Sequence, residues 1–299
     1  MEPPDKPADS DCCNSGCNPC ILDVYEEQLK NYNLKKYQDG NSQQYDNCIH
    51  PSSYSVFKLV NREKHTPNSY IFKFEYFSFL NKNYNRSNKE KLNYAPGQHF
   101  MLKGRESSSG KEFTRAYTPI PYGENNDKSF TILVRLYDEG KMSSYLKNLQ
   151  IGSETLWRGP YCNFTIDYTI KNILFIAQGT GIAPIFSIAK EMISNDFCET
   201  FLHLLYCCRN MNEIFLRNEL YELKSYWNFT YEVFLKDPMN FSPKYEEIIH
   251  DRKLVEKDSI QFIKNKGNNL QVVISGSTEF ENCISSYITT AGDQKIFLF

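Results

Sequence analysis

A buried strand followed by a glycine-rich turn and a helix is the feature that most restricts how this chain folds. Residues 172–177 form an apolar run of strand length, which is typical of a parallel strand covered on both faces. Gly179, Thr180 and Gly181 follow, and Pro184 stands in the first turn of a helical pattern. The glycines lack the Cβ atoms that would keep a planar ligand away from the backbone. The order of strand, turn and helix predicts a nucleotide-binding arrangement.

The same alternation continues to the end of the chain. We predict further strands over residues 201–206, 231–235 and 271–275, helices over 213–223 and 279–289, and a final strand ending in Phe299. Alternating strands and helices indicate a parallel α/β sheet with right-handed crossovers. Ligands of such a sheet lie at the carboxyl ends of its strands. Arg209, Ser275 and Gly276 fall there, together with the glycine turn.

The first half of the chain has a different pattern. Short runs of strand-forming residues lie at 56–60, 70–74, 99–102, 115–119 and 130–137, and a polar stretch at 81–93 is expected to form a surface insertion. Short strands separated by turn signals predict an antiparallel barrel. The predicted fold class is therefore β + α/β, with the barrel followed by a parallel-sheet, Rossmann-like domain.

One barrel strand carries a cation and a phenol on alternate residues. Arg115 and Tyr117 face the same side of an extended chain, Thr118 faces the other, and Pro119 ends the strand. A guanidinium suits a diphosphate, because its planar fork donates two parallel hydrogen bonds and keeps its charge. The segment therefore predicts a binding place for a diphosphate beside a ring. An ordinary edge strand with a surface arginine is the alternative interpretation.

A second candidate for diphosphate binding is the helix that begins near Gly140. A glycine before a helix leaves the first N–H groups open to an anion. The alternative is an ordinary helix start, with Ser143 as its cap.

Composition excludes several classes of protein. The net charge of −2 offers no strong field for nucleic acid, and no apolar run reaches the roughly 20 residues that span a bilayer. The acidic, proline-rich start differs from a secretory leader. We therefore expect a soluble intracellular protein, cytoplasmic, with no integral membrane segment, no nucleic-acid partner and ten reduced cysteines.

Four of these cysteines lie close together near the N-terminus: Cys12, Cys13, Cys17 and Cys20. They are consistent with a metal site, with a redox dithiol, or with a small reduced turn; no second ligand pair follows at zinc-finger spacing, and we assign no metal ligand. The next residues predict a short amphipathic helix with Leu22, Tyr25 and Leu29 on its apolar face. The segment resembles the short oxidoreductase-like N-terminal module.

The predicted organisation has four parts. Residues 1–31 form the cysteine module and residues 32–53 a polar linker, followed by a β-barrel domain over 54–165 and an α/β domain over 166–299.

From residue 54 onward the chain resembles the ferredoxin-reductase superfamily, and within it NADH–cytochrome b5 reductase. Short motifs occur in the order of that family: Arg115-x-Tyr117-Thr118-Pro119, the strand ending in Tyr137, Gly140-Lys141-Met142-Ser143, Arg158-Gly159-Pro160, Gly179-Thr180-Gly181-Ile182-x-Pro184, Arg217-x-Glu219-Leu220 and Phe299. The resemblance implies FAD in the first domain and NADH in the second.

The resemblance also implies roles for single residues in the FAD site. Arg115 would bind the diphosphate, Tyr117 would pack along the flavin, and Thr118 would lie near flavin N5. The adenine half would contact Arg135 and Tyr137, and the diphosphate would accept backbone N–H groups from Gly140, Lys141, Met142 and Ser143.

In the second domain, the resemblance places Gly179, Gly181, Pro184 and Gly276 at the dinucleotide. Thr180 would lie between flavin and nicotinamide, and Ser275 stands where the family often has cysteine. Thr118, Thr180 and Ser275 are the implied catalytic residues. Arg209 could pair with a 2′-phosphate, so NADPH stays open beside NADH.

The activity implied by the resemblance is transfer of hydride from NADH to FAD and of single electrons to a haem protein, cytochrome b5 or one similar to it. The alternative is a weakly catalytic redox sensor or partner-binding protein that acts through the N-terminal cysteine module.

Overall fold

The computed structural model describes residues 4–8, 11, 20–36, 47–77, 91–106, 109–124, 126–238, 241–266, 269–291 and 294–299. The chain divides into two compact units. The first comprises residues 1–64 and 69–163, and the second comprises 65–68 and 164–299. The main division falls close to the predicted boundary between residues 165 and 166. The predicted insertion at 81–93 lies mostly outside the described residues.

The first unit contains a six-stranded antiparallel sheet. Its strands are β1 (Ser55–Thr66), β2 (Ser69–Tyr76), β3 (His99–Arg105), β4 (Glu112–Tyr117), β5 (Ser129–Arg135) and β6 (Glu154–Tyr161), in the spatial order β4-β3-β6-β1-β2-β5. The chain just after β4 returns to β5 at the far edge, where Pro119 bridges Ile132 and the Ile120 N–H donates to the Thr131 carbonyl at 2.8 Å. This contact closes the sheet, and the predicted antiparallel barrel is confirmed.

Aromatic side chains fill the interior of this barrel. Phe130 packs edge-on against Trp157 at 4.9 Å between ring centres and against Phe100 at 5.0 Å. Such pairs add to the free energy gained by burying their area. Cys48 and Ile49, from the end of the stretch predicted as a linker, are also buried in this core.

Two helices accompany the barrel. Helix α1 covers Ile21–Lys36 and helix α2 covers Lys141–Asn148. Helix α2 contributes Met142 and Leu146 to the core and packs on β3 and β4. Helix α1 buries Ile21, with Val24 half-buried, whereas Leu22 is exposed. The predicted apolar face of α1 was therefore wrong at Leu22, because the i, i+3 spacing of Ile21 and Val24 supplies the face that packs.

The second unit is a six-stranded parallel sheet with helices. Its strands are β7 (Asn172–Gln178), β8 (Phe201–Cys208), β9 (Phe229–Leu235), β10 (Ile248–His250), β11 (Leu270–Ser275) and β12 (Lys295–Leu298), in the order β10-β9-β8-β7-β11-β12. Its helices are α3 (Ile182–Ser194), α4 (Arg217–Leu223), α5 (Glu256–Lys266) and α6 (Thr278–Ala291). The predicted parallel α/β sheet is confirmed.

Three details of this unit differ from the sequence prediction. The predicted helix 213–223 is broken at Leu216, whose φ of 56° separates a short 3₁₀ turn from α4. Strand β8 continues through Cys207 and Cys208, two residues beyond its predicted end at residue 206. Strand β10 and helix α5 were not predicted.

None of the helices in the described part of the chain is long and apolar enough to cross a membrane.

Candidate cofactor sites

Strand β4 carries the first candidate side chains. Phe113 and Tyr117 both pack on the barrel core, and Arg115 lies between them on the same face, since successive side chains alternate. The Arg115 side chain is exposed, and its Nη1 donates to the carbonyl of Thr114 at 2.7 Å. Among the described residues, no carboxylate forms an ion pair with Arg115. Its charge is therefore available to an anionic ligand.

The start of helix α2 is the second element of this site. Gly140 occupies the N-cap position with φ 147°, and no side chain caps the helix. Ser143 is not the cap that the alternative interpretation requires, because it lies inside the helix and its Oγ accepts the Tyr137 N–H at 3.0 Å. The N–H groups of the first turn are therefore open to an anion.

Helix α2 and strand β4 are held side by side. Tyr145 of the helix packs edge-on against Phe113 of the strand, with 6.5 Å between ring centres. Met142 is buried, so only its backbone can serve a ligand, whereas Lys141 is exposed and its Nζ lies 3.6 Å from Glu106. Two groups suited to a diphosphate, the Arg115 guanidinium and the open helix start, thus belong to adjacent elements.

Aromatic side chains lie beside Arg115. Burial raises the pKa of Tyr117, with Arg115 acting in the opposite direction and Tyr137 adding to the rise, so the phenol stays protonated. Tyr137 is exposed, and the guanidinium of Arg135 lies 5.2 Å from its ring centre. Thr118 is half-buried directly after β4. The predicted residues of the FAD site therefore lie on and directly after β4, at the end of β5 and just beyond it, and at the start of α2.

This arrangement suits FAD. The diphosphate needs a fixed cation and a group of N–H donors, and a planar ring needs an aromatic surface. All three are provided within the first unit.

The glycine turn at the carboxyl end of β7 is the second candidate site. Gly179, Thr180 and Gly181 form a short 3₁₀ helix that leads directly into α3. Gly179 has φ 55°, and a Cβ placed on it would meet no atom within 4 Å. The fully buried Tyr206 donates its hydroxyl to the Gly179 carbonyl at 2.9 Å. The turn is therefore held in place by Tyr206, and the side on which a Cβ of Gly179 would stand is open to a dinucleotide.

The end of β11 lies beside this turn. A Cβ on Gly181 would come within 2.5 Å of the Ser275 carbonyl oxygen, so the two backbones are in direct contact. A Cβ on Gly276 would come within 2.6 Å of the Phe280 ring. Both glycines are therefore needed for packing within the unit. Of the predicted residues, Gly181, Ser275 and Gly276 are brought together here.

The remaining predicted residues of this unit have distinct positions. Pro184 is buried in the first turn of α3, where it has a packing role. Arg209 follows β8, and its Nε lies 3.4 Å from the Asp237 carboxylate. A 2′-phosphate would compete with Asp237 for this guanidinium, and the assignment of Arg209 to such a phosphate stays a prediction.

Three side chains that shape this site were not predicted from the sequence. Besides Tyr206, Gln178 accepts the Ser277 N–H at 3.3 Å and Glu281 accepts the Gly276 N–H at 3.2 Å. Burial raises the pKa of Glu281, while the Gly276 N–H opposes that rise. The position of Gln178 directly before the glycines was the available signal for this residue.

The cysteine module is described only in part. Cys20 is half-buried beside Ile21, whereas Cys12, Cys13 and Cys17 lie outside the described residues. Within the described ranges, no group of three or more His, Cys, Asp or Glu residues could hold a metal ion. The three interpretations of the module stay predictions.

Three family models match the chain. They are the oxidoreductase FAD-binding domain over residues 57–166, the oxidoreductase NAD-binding domain over residues 175–286, and the N-terminal domain of oxidoreductase-like proteins over residues 1–39. The first two contain the sites on β4 and α2 and at the glycine turn.

Curated relatives extend the match to the whole chain. A human protein named NADH-cytochrome b5 reductase-like is 27% identical over 309 residues, which cover 99% of this chain and 94% of that protein. NADH-cytochrome b5 reductase 1 of Lodderomyces elongisporus is 33% identical over 171 residues, or 57% of this chain and 53% of that protein.

Solved structures show the same fold. The cytochrome b5 reductase domain of Ulva prolifera nitrate reductase superposes with a TM-score of 0.70 at 20% identity, covering 84% of this chain and 99% of that chain. The CS-b5R domains of human Ncb5or, in the NAD⁺ form, give 0.68 at 21% identity, with 82% and 69% covered.

The fold and the family models together define an oxidoreductase with an FAD-binding domain and an NAD-binding domain. Within this class, the chain is similar over 99% of its length to the human and mouse proteins named NADH-cytochrome b5 reductase-like.

Proposed function

We propose that this protein takes hydride from NADH onto FAD and passes single electrons to a haem protein such as cytochrome b5. The observation that carries the proposal is the match, over 99% of the chain, to a relative named NADH-cytochrome b5 reductase-like. The chain has both cofactor-binding domains of this family, each with a site suited to its cofactor.

Residues of the first unit would hold FAD in place. Arg115 and the open N–H groups at Gly140 would bind the diphosphate, because both present fixed positive charge or dipole to it. Tyr117, which stays protonated, and Thr118 would lie beside the flavin ring. Bound FAD accepts the two electrons of a hydride together and releases electrons one at a time.

Residues of the second unit would position NADH. Gly179 leaves the turn open to the dinucleotide, and Tyr206 holds the carbonyl of that turn. Thr180 would lie next to the nicotinamide, and the short Ser275 side chain would leave room for it. These residues act by orienting the nicotinamide, since a well-aligned donor removes much of the entropic barrier to transfer.

Steady-state assays with two acceptors test this proposal. The purified protein, loaded with FAD, should oxidise NADH with ferricyanide and also with cytochrome b5, and NADPH should be the poorer donor. A mixture of free FAD, NADH and cytochrome b5 is the blank. Turnover with ferricyanide but none with cytochrome b5 would rule out cytochrome b5 as the acceptor. No turnover with either acceptor would rule out the reductase activity.

The same assay distinguishes the proposed function from the alternative, in which the N-terminal cysteine module is the active part. A variant with Cys17→Ser and Cys20→Ser should keep its ferricyanide turnover if the cysteine module is not on the electron path. A large loss of turnover with FAD content unchanged would instead place the module's thiols in the transfer of electrons.

A further inference from the structure

Strand β4 is in contact with the N-terminal segment, by which we mean the described residues 4–8, 11 and 20–24, on the side opposite to its candidate flavin residues. Thr114 and Ala116 alternate with Arg115 and Tyr117 along the strand and so face the other way. The buried Thr114 donates its hydroxyl to the backbone carbonyl of Asp11 at 2.5 Å. The N-terminal segment and the predicted FAD-binding residues therefore lie on opposite faces of the same strand, β4.

A buried ion pair holds this segment to the barrel. The Asp11 carboxylate lies 3.2 Å from Nη2 of Arg158 on β6, and both side chains are almost completely buried, with 8% and 2% of their surfaces exposed. The same carboxylate accepts the Ala8 N–H at 3.0 Å, and the Asp11 N–H donates to the Ala8 carbonyl at 2.8 Å. The guanidinium also lies 4.7 Å from the ring centre of Tyr54.

Arg158 has few other partners. Among the described residues, its Nε makes no hydrogen bond, and Asp11 is its only ion-pair partner. A guanidinium buried to this degree is costly without a counter-charge. Removal of the Asp11 charge would therefore leave the buried Arg158 guanidinium without a counter-charge, on the face of the sheet that contacts the N-terminal segment.

A second, apolar contact fixes the start of helix α1 to the same face. Ile21 is buried against Met101 of β3 and Tyr161 of β6, with Ala116 of β4 beside them. The Cys20 N–H donates to the Asp23 carboxylate at 3.3 Å at the beginning of the helix. The segment therefore contacts β3, β4 and β6 through two separate groups of residues.

The position of β4 makes this support important. It is at the edge of the sheet, with β3 as its ladder partner and the single bridge at Pro119 beyond its end. Edge strands have fewer hydrogen bonds to hold them than central strands do, and they open more easily. Contacts from the outer face would limit the motion of the strand that carries Arg115 and Tyr117.

We propose that the N-terminal segment is a positioning element of the flavin site, which acts through the Asp11–Arg158 ion pair and the Asp11–Thr114 hydrogen bond. Asp11 is a positioning residue, because it contacts Thr114 on the face of β4 opposite to Arg115 and acts on FAD through that strand. The inference rests on FAD binding alone and is independent of the electron acceptor.

Equilibrium binding of FAD to the full-length apoprotein tests the proposal without any turnover. Asp11→Asn keeps the shape of the side chain and removes its charge, and it should raise the Kd for FAD by about tenfold or more. Asp5→Asn is the matched control, since Asp5 is an exposed residue of the same type in the same segment. It should leave the Kd unchanged.

Two further variants separate positioning from general stability. Thr114→Val, nearly the same shape, removes the hydroxyl that donates to Asp11 but keeps the Asp11 charge, and it should raise the Kd by a smaller factor. Asp11→Glu should recover part of the affinity, since it restores the charge. The visible circular dichroism of bound flavin should change in Asp11→Asn. The affinity of the second unit for NADH should stay unchanged in the same variant.

Each outcome decides the matter. A weaker FAD affinity in Asp11→Asn and Thr114→Val, with Asp5→Asn unchanged, supports the proposal. A lower melting temperature with the Kd and the flavin dichroism unchanged would give the segment a structural role only and would overturn it. If Asp11→Asn does not fold, Thr114→Val decides by the same two readouts.

Discussion

The backbones of Gly181 and Ser275 are in such close contact that a methyl group on Gly181 would lie 2.5 Å from the Ser275 carbonyl oxygen. The contact joins the turn after β7 to the end of β11, two neighbouring parallel strands. Gly179, two residues earlier, has open space in the corresponding direction. The two glycines of one turn therefore serve different purposes, one for packing and one for access.

Alanine substitutions should separate these purposes. Gly181→Ala should destabilise the second unit by about 2 kcal/mol or more, because backbone atoms must move to relieve the clash. Gly179→Ala should cost only about 1 kcal/mol, from its positive φ, but should weaken NADH binding. Chemical denaturation and NADH titration measure the two effects. Equal stability losses with unchanged NADH affinity in Gly179→Ala would contradict this division.

Arg115 should be central to FAD affinity. Arg115→Ala should raise the Kd for FAD about 10- to 100-fold, since charge-assisted hydrogen bonds contribute about 1.5–3 kcal/mol. Arg115→Lys should be intermediate, because an ammonium lacks the planar fork. Arg105→Ala is the matched control, as Arg105 is an exposed arginine at the end of the neighbouring strand. Similar losses in Arg105→Ala and Arg115→Ala would show that only general charge matters.

The buried ion pair between Arg217 and Glu247 should contribute to the free energy of unfolding of the second unit. Arg217 contacts both carboxylate oxygens of the fully buried Glu247, which also accepts the Tyr231 hydroxyl at 2.9 Å. Burial acts to raise the pKa of Glu247, but the hydrogen bonds from Arg217, Lys244 and Tyr231 hold that pKa below its usual value. Its contribution to stability is therefore present at neutral pH and is lost as the pH falls through the lowered pKa.

Replacement of this carboxylate should be costly. Glu247→Gln should reduce the free energy of unfolding by about 2–3 kcal/mol, because it leaves Arg217 without its counter-charge. Glu246→Gln, at the neighbouring exposed position, should change it by less than about 0.5 kcal/mol. Denaturant titrations at neutral pH provide both values. A loss in Glu247→Gln as small as the control would mean that the pair contributes little.

The first unit should lose stability in mild acid through His99. Burial lowers the pKa of His99 to about 4 from 6.5. Between these values the unfolded chain binds a proton that the folded chain does not, so stability falls as the pH is lowered. The loss from pH 7 to 4.5 should be about 1–2 kcal/mol, since His99 as a residue is only half-buried. In His99→Gln this part of the pH dependence should disappear, and an unchanged slope would contradict the assignment.

The sequence was sufficient to predict the parts of the fold that depend on local pattern. Alternation along residues 115–117 correctly placed Arg115 and Tyr117 on one face, and the apolar run before Gly179 correctly predicted a central parallel strand. Both signals are strong because the periodicity of a strand and the absence of a Cβ are properties of neighbouring residues.

Features that depend on distant residues could not be predicted in this way. Asp11 and Arg158 are 147 positions apart, and nothing near either residue indicates that it is buried. Leu216 breaks a helix that its sequence favours, because its N–H donates to the ring of His65, which is 151 positions earlier. Strand β10 has only three residues, too few for a periodic pattern. In each case tertiary contacts decide what local preference leaves open.

Single-turnover reduction of the bound flavin, followed anaerobically after rapid mixing with NADH, shows whether hydride passes from NADH to FAD. The visible absorption of the flavin should bleach in one turnover, and NADH carrying deuterium at the transferred position should reduce the flavin more slowly. Cytochrome b5 added afterwards should restore the absorption. A flavin that stays oxidised in the presence of saturating NADH would contradict hydride transfer between the two cofactors, and with it the proposed function.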